Sequence, residues 1–96
     1  MIFGYKFSGM SRIKGELHNM KNFLRRAWAE VHLDRLSGNL AALRSLINED
    51  KTQIACVVKA NAYGHDDGNI AAFLETQGVS FFAVSNIKEA ENIRRS

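Results

Sequence analysis

A short apolar run that ends in a lysine constrains the fold of this chain more than any other feature. Residues 54–58 read Ile-Ala-Cys-Val-Val, and Lys59 follows directly. A continuous apolar run of this kind predicts a strand that is buried on both faces, as in a parallel sheet. Burying a lysine amine is costly unless the amine is paired, neutral or covalently used. The sequence therefore predicts an α/β layer in which Lys59 needs a chemical explanation.

The residues before this run predict one strand and one helix. Polar and apolar residues alternate over 27–33, which favours a strand. Leucine and isoleucine then recur every three or four residues over about 35–48, which favours a helix with Asp34 as its N-cap. The apolar run is therefore expected to be the strand that follows this helix.

The residues after the run predict a helix, a strand and a second helix. In chain order these are a helix capped by Asp66 or Asp67 that ends at Gly78, a strand at 79–84, and a helix with a capping box of Asn86 and Glu89. Strands separated by a helix pair in parallel through right-handed crossovers. Two strands cannot close a sheet, and a (β/α)8 barrel needs about 250 residues. We therefore expect 26–96 to be the N-terminal portion of a TIM-type barrel, incomplete in this chain.

The excess of positive charge lies at the start of the chain. Residues 1–26 carry six basic side chains and one acidic one, whereas 27–96 carry seven basic and nine acidic ones. This distribution argues against a nucleic-acid-binding domain, because the basic residues belong to the leading segment. We expect 1–25 to be a basic, poorly ordered leader or linker, within which the spacing of apolar residues allows a helix at 16–26.

Composition also bears on the compartment in which the chain is found. No apolar run approaches the roughly 20 residues of a transmembrane helix. Cys56 is the single cysteine, so no internal disulfide forms and nothing demands an oxidising compartment. The default expectation is a cytoplasmic location, with Cys56 as a small buried side chain.

Lys59 and the turn after it contain the side chains that are candidates for catalysis or binding. Parallel α/β proteins place reactive groups at the carboxyl ends of strands, and poor solvation there favours a neutral amine that attacks a carbonyl carbon to form a Schiff base. Tyr63 follows four residues later, Gly64 permits positive φ, and His65 either orients a neighbour or bonds to the backbone. From residue types alone, a solvent-exposed lysine beside a structural turn is the open alternative.

The nine residues from 57 to 65, Val-Val-Lys-Ala-Asn-Ala-Tyr-Gly-His, resemble the pyridoxal-phosphate signature of the alanine racemase family. The segments at 28–34 and 82–94 are similar to the family's neighbouring elements, so the resemblance covers about residues 26–96. The sequence departs from the family pattern at Asp66, where the family usually has glycine.

The resemblance implies a pyridoxal-phosphate-dependent isomerase that interconverts L- and D-alanine and supplies D-alanine for peptidoglycan. Members are homodimers with an N-terminal (β/α)8 barrel and a C-terminal β-domain. The strand at 28–32 is expected to pair with the C-terminal domain, which leaves 54–58 as the first barrel strand. No metal and no nucleic acid is implied.

The resemblance also implies roles for two side chains. Lys59 matches the lysine that binds the cofactor covalently and acts as a catalytic base, and Tyr63 matches the tyrosine that contacts the cofactor phosphate. The second base of the family, a tyrosine from the partner's C-terminal domain, has no counterpart here, so we expect an inactive N-terminal fragment. Two alternatives stay open: a fragment of a membrane-linked serine racemase of the same family, and a non-catalytic cofactor-binding or interaction module.

Overall fold

A computed structural model of the chain describes residues 3–8 and 27–96. Its first two elements are the strands β1 (Phe3–Ser8) and β2 (Ala27–His32). They pair in parallel, with Phe3 opposite Ala27 and Ser8 opposite His32. The sequence predicts β2 correctly. The remaining part of the predicted leader and its helix at 16–26 lie outside the described residues.

Strand β1 lies within the segment 1–25 that the sequence predicts to be a poorly ordered leader. Its Phe, Tyr and Phe alternate with other residues as a strand requires. The backbone of β2 pairs with β1 in this chain. The expected pairing of 28–32 with a C-terminal domain stays a prediction.

Helix α1 (Leu33–Leu46) follows β2 without a loop. His32 holds the N-cap position and makes no side-chain cap bond, while Asp34 lies in the first turn. The prediction of Asp34 as the N-cap is therefore wrong, because the helix begins at the residue before it. A first-turn carboxylate still interacts favourably with the helix dipole. The helix buries Leu33 and Leu40 in the core.

Two short parallel strands form the centre of the second half of the chain. Strand β3 (Ala55–Val57) pairs with β4 (Phe81–Ala83), as the strand-helix-strand pattern predicts. The Val58 amide extends the ladder by donating to the Ala83 carbonyl at 2.9 Å. Helix α2 (Asp67–Thr76) connects the strands, and helix α3 (Ile87–Arg95) follows β4.

Among the described residues, strand β3 is covered on one face only, which corrects the prediction of burial on both. Val58 is buried and Cys56 is half-buried against the core, whereas Ala55 and Val57 are exposed. This alternation follows from strand geometry, since successive side chains point to opposite faces. The core between the described strands and helices is completed chiefly by the residues Leu33, Leu40, Ile70, Phe73, Leu74 and Val79.

Helix α2 ends as the sequence predicts. Gly78 has a φ of +85°, its amide donates to the Glu75 carbonyl, and the Val79 amide donates to the Leu74 carbonyl. This pair of bonds is a Schellman motif, in which glycine occupies the left-handed position. None of the helices in the described part of the chain is both long and apolar enough to cross a membrane.

Candidate functional site

A single left-handed turn of helix follows β3 and carries the residues that the sequence singles out. This left-handed turn comprises Lys59–Gly64, and its four residues from Ala60 to Tyr63 have φ values between +51° and +57°. Gly64 continues at +87°. A non-glycine residue in this region costs roughly 1–2 kcal/mol, so four of them together cost several times that amount. The surrounding contacts must offset this cost.

Asn61 supplies many of those contacts. Its carbonyl oxygen accepts from the amides of His65 at 3.0 Å and Asp66 at 3.1 Å, and its side-chain oxygen accepts from the Asp67 amide at 3.0 Å. The last bond caps α2 from outside the helix. Asp66 holds the N-cap position, as the sequence predicts, but its side chain makes no cap bond, and the Asn61 side chain accepts from the Asp67 amide instead. Asparagine tolerates the left-handed region better than alanine or tyrosine does.

His65 closes the turn. Its ring nitrogen Nδ1 lies 3.0 Å from the carbonyl oxygen of Ala62, and its own amide contacts the same carbonyl at 3.2 Å. Of the two roles that the sequence allows for His65, backbone bonding is the one observed. Asp66 follows at a φ of +71°. That positive φ accounts physically for a preference for glycine at this position.

Glu89 connects the left-handed turn to the neighbouring strand. Its Oε1 accepts from the Ala60 amide at 3.1 Å, and its Oε2 accepts from the Ser85 amide at 2.7 Å and the Ser85 hydroxyl at 2.8 Å. These donors hold the pKa of Glu89 below its usual 4.5, and the Ser85 amide is the largest cause. The Glu89 amide in turn donates to Asn86 Oδ1 at 2.9 Å, as a capping box predicts.

Lys59 and Tyr63 lie on this turn, at the carboxyl end of β3, as the sequence predicts. Both side chains are exposed, and Tyr63 retains 61% of its accessible surface. The expectation that Lys59 is poorly solvated is therefore not met among the described residues, where Lys59 is exposed. The left-handed turn therefore presents a primary amine and a phenol to solvent, where a small molecule can reach both.

Two other features of the described residues lie apart from this turn. Burial raises the pKa of the Cys56 thiol above 9.0, against the opposing charge of Arg44. A neutral thiol is a poor nucleophile, which agrees with the expected packing role. A cavity of about 440 Å³ between α2, β4 and α3 is lined by residues such as Phe82 and Ile93, and neither Lys59 nor Tyr63 reaches it.

Sequence reasoning missed Asn61 and the full role of Glu89. Asn61 stands inside the motif without a distinctive signal, because an asparagine in a turn has many uses. Glu89 is found by the capping-box spacing, but its bond to Ala60 spans 29 residues of sequence. In the described part of the chain, no group of three or more histidine, cysteine or carboxylate side chains is arranged to hold a metal ion.

Comparison with known proteins places this geometry in a family. The family model for the alanine racemase N-terminal domain matches residues 31–96. An alanine racemase of Geobacillus kaustophilus is 45% identical over 76 residues, which is 79% of this chain and 20% of the relative. One from Clostridium perfringens strain SM101 is 44% identical over 71 residues, 74% of this chain and 18% of the relative.

A third relative extends the range of similarity. Alanine racemase 2 of Bacillus subtilis is 38% identical over 77 residues, 80% of this chain and 19% of that protein. The chain thus spans about a fifth of the length of the curated relatives it matches. No solved structure matches the chain significantly. On the match of the N-terminal domain model and the identity to these relatives, the chain belongs to the alanine racemase family.

Proposed function

We propose that this chain supplies the cofactor-binding lysine of a pyridoxal-phosphate-dependent alanine racemase, with Lys59 in that role. The observation that carries the proposal is that Lys59 and Tyr63 are both exposed on one left-handed turn at the carboxyl end of β3. Family membership and the names of the relatives support the choice of reaction. The proposal treats β3, α2, β4 and α3 as the opening units of a (β/α)8 barrel.

The exposed groups fit the cofactor. An aldehyde with a phosphate group requires an accessible primary amine and a hydrogen-bond donor, and Lys59 and Tyr63 provide these within one turn. When bound, pyridoxal phosphate acts as an electron sink that stabilises a carbanion at the substrate Cα. The Lys59 amine would hold the cofactor and move a proton at Cα on one face of the substrate. The Tyr63 hydroxyl would donate to the phosphate.

Racemisation needs a proton acceptor on one face of Cα and a donor on the other. Lys59 is the base that we assign in this chain, and we assign no second base among the described residues. We therefore propose that the 96-residue chain is inactive by itself. In a complete enzyme a second subunit would contribute the missing base, and the reaction would supply D-alanine for peptidoglycan in the cytoplasm.

The experiment uses the purified chain with pyridoxal phosphate, followed by borohydride reduction and peptide mass spectrometry. We expect the borohydride-reduced cofactor to be attached to Lys59 in preference to Lys51. Lys51 is an exposed lysine on a polar turn and serves as the internal control. Equal modification of the two lysines would contradict the assignment of Lys59.

A second measurement tests the claim of inactivity. The same preparation is incubated with L-alanine, and D-alanine is quantified over time. We expect no D-alanine above a blank that contains free cofactor. D-alanine formation that disappears in the Lys59→Ala variant would contradict the claim that the chain is inactive by itself.

A further inference from the structure

We propose that Glu89 is a positioning residue for Lys59, because its carboxylate fixes the backbone amide of the next residue in the chain. This inference rests on the proposed function, in which Lys59 binds the cofactor. The sequence separation between Ala60 and Glu89 is 29 residues, so the contact is tertiary and does not belong to a local turn.

The Ala60 amide is the place where the left-handed turn needs an external partner. Ala60 is the first residue of the turn with positive φ, at +51°. Amides at the start of a helical turn lack a partner within it. The Ala62 amide, by contrast, donates to the Val58 carbonyl at 3.0 Å. Glu89 Oε1 accepts from the Ala60 amide at 3.1 Å and so supplies that amide with a partner from outside the turn.

Glu89 is itself anchored at the adjacent strand. Its second oxygen accepts from both the amide and the hydroxyl of Ser85, which lies just beyond the end of β4. The Glu89 amide donates to Asn86 Oδ1. One carboxylate therefore joins the carboxyl ends of β3 and β4, and it does so directly beside Lys59.

The chemistry of the contact requires a carboxylate. Glu89 receives donors on both of its oxygens, and an ionised carboxylate has only acceptors. A glutamine has one acceptor oxygen and one NH2 group. If its oxygen faces Ser85, its NH2 group meets the Ala60 amide, and two donors then oppose each other. In the reverse orientation its NH2 group meets the Ser85 amide. The Glu89→Gln variant thus breaks one of the two backbone contacts in either orientation while nearly preserving the shape of the side chain.

The test compares the parent chain with Glu89→Gln and Glu91→Gln. Glu91 lies on the same helix, is exposed, and contacts Arg95 at 3.9 Å, so its replacement is a matched control. The first readout is amide hydrogen exchange at residues 60 and 85. We expect exchange about fivefold faster at one of these two amides in Glu89→Gln, the factor that corresponds to one lost hydrogen bond of ordinary net strength, and unchanged exchange at both in Glu91→Gln.

The second readout is borohydride-trapped pyridoxal phosphate at Lys59, relative to Lys51, in the same three proteins. A third variant, Ile93→Val, weakens packing against the core without touching the turn. It separates positioning from general stability. We expect a smaller amount of trapped cofactor at Lys59 in Glu89→Gln and in none of the other variants. Across the variants, the amount of trapped cofactor should correlate with the rate of amide exchange at residue 60 and not with the urea midpoint of unfolding.

Three results would overturn the inference. Unchanged exchange at both residue 60 and residue 85 in Glu89→Gln shows that the carboxylate does not hold these amides. Equal amounts of trapped cofactor at Lys59 in the parent and in Glu89→Gln would overturn the positioning role of Glu89. The proposed function of Lys59 would still stand. Absence of trapping at Lys59 in the parent overturns the proposed function and this inference together.

Discussion

The amide of Ala60 donates to the carboxylate of Glu89 at 3.1 Å, and this bond joins the turn that carries Lys59 to the first turn of α3. The contact matters because the turn is costly by itself. Four consecutive non-glycine residues adopt positive φ, a conformation that L-residues avoid. A conformation of this kind persists only where surrounding structure determines it.

The Glu89 carboxylate makes stability dependent on pH. Its pKa in the folded chain is lowered below 4.5, chiefly by the Ser85 bonds, while the unfolded chain keeps the usual value. The ionised form therefore stabilises the fold above pH 4.5, and this contribution is lost as pH falls through the folded-state pKa. We expect urea midpoints of the parent and Glu89→Gln to differ at pH 7 and to converge toward pH 3. If the urea midpoints of the two proteins differed by the same amount at pH 7 and pH 3, the ionised Glu89 carboxylate would not be the source of the stabilisation.

Glycine is required at Gly64 for its backbone conformation and not for space. Its φ is +87°, and apart from its chain neighbours no atom of the described residues lies within 4 Å of the position that a Cβ would take. We expect Gly64→Ala to lower the free energy of unfolding by about 1–2 kcal/mol, measured by urea denaturation.

Gly38→Ala is the matched control for Gly64→Ala. Gly38 lies inside α1, and beyond its own helix backbone and chain neighbours no atom in the described part of the chain lies within 4 Å of its Cβ position. It is not among the residues with positive φ. We expect this substitution to raise the free energy of unfolding by about 1 kcal/mol, because alanine is the better helix former. The same sign for both substitutions would show that backbone conformation does not decide the outcome.

Asp66 occupies a conformation that suits glycine. Its φ is +71°, and its side chain compensates in part by accepting from Asn69 Nδ2 at 2.8 Å. We expect Asp66→Gly to raise the free energy of unfolding by about 1 kcal/mol, since relief of strain outweighs the lost hydrogen bond. Asp67→Gly, at the first residue of α2, should lower it. Urea midpoints of the two variants that shift in the same direction would contradict this explanation.

Asn61 caps α2 from the left-handed turn. Its side-chain oxygen accepts from the Asp67 amide at 3.0 Å, where Asp66 makes no cap bond. We expect Asn61→Ala to lower the free energy of unfolding by about 1 kcal/mol, and Asn61→Asp to retain most of the stability because it keeps the acceptor. Amide exchange at Asp67 provides a local check, since it should accelerate in Asn61→Ala and not in Asn61→Asp.

Much of the secondary structure can be predicted from local patterns. The alternation at 27–33, the stripe at 35–48 and the capping residue Asn86 all predict elements that the structure contains, because each depends on neighbours within a turn or a strand. Strand β1 and the cap of α2 were missed. The first has a short pattern interrupted by glycine, and the second uses a residue six positions before the amide it caps.

By itself, the sequence determined the family signature at 57–65, the parallel order of β3 and β4, and the position of Lys59 and Tyr63 within one turn. Only the tertiary structure decided that this turn is left-handed, that β3 is covered on one face, and that Lys59 is exposed. The physical reason is that intrinsic preferences of alanine and tyrosine oppose positive φ. The left-handed turn is stabilised by Asn61, His65 and Glu89, and the last of these comes from 29 residues beyond Ala60 in the sequence, after β4.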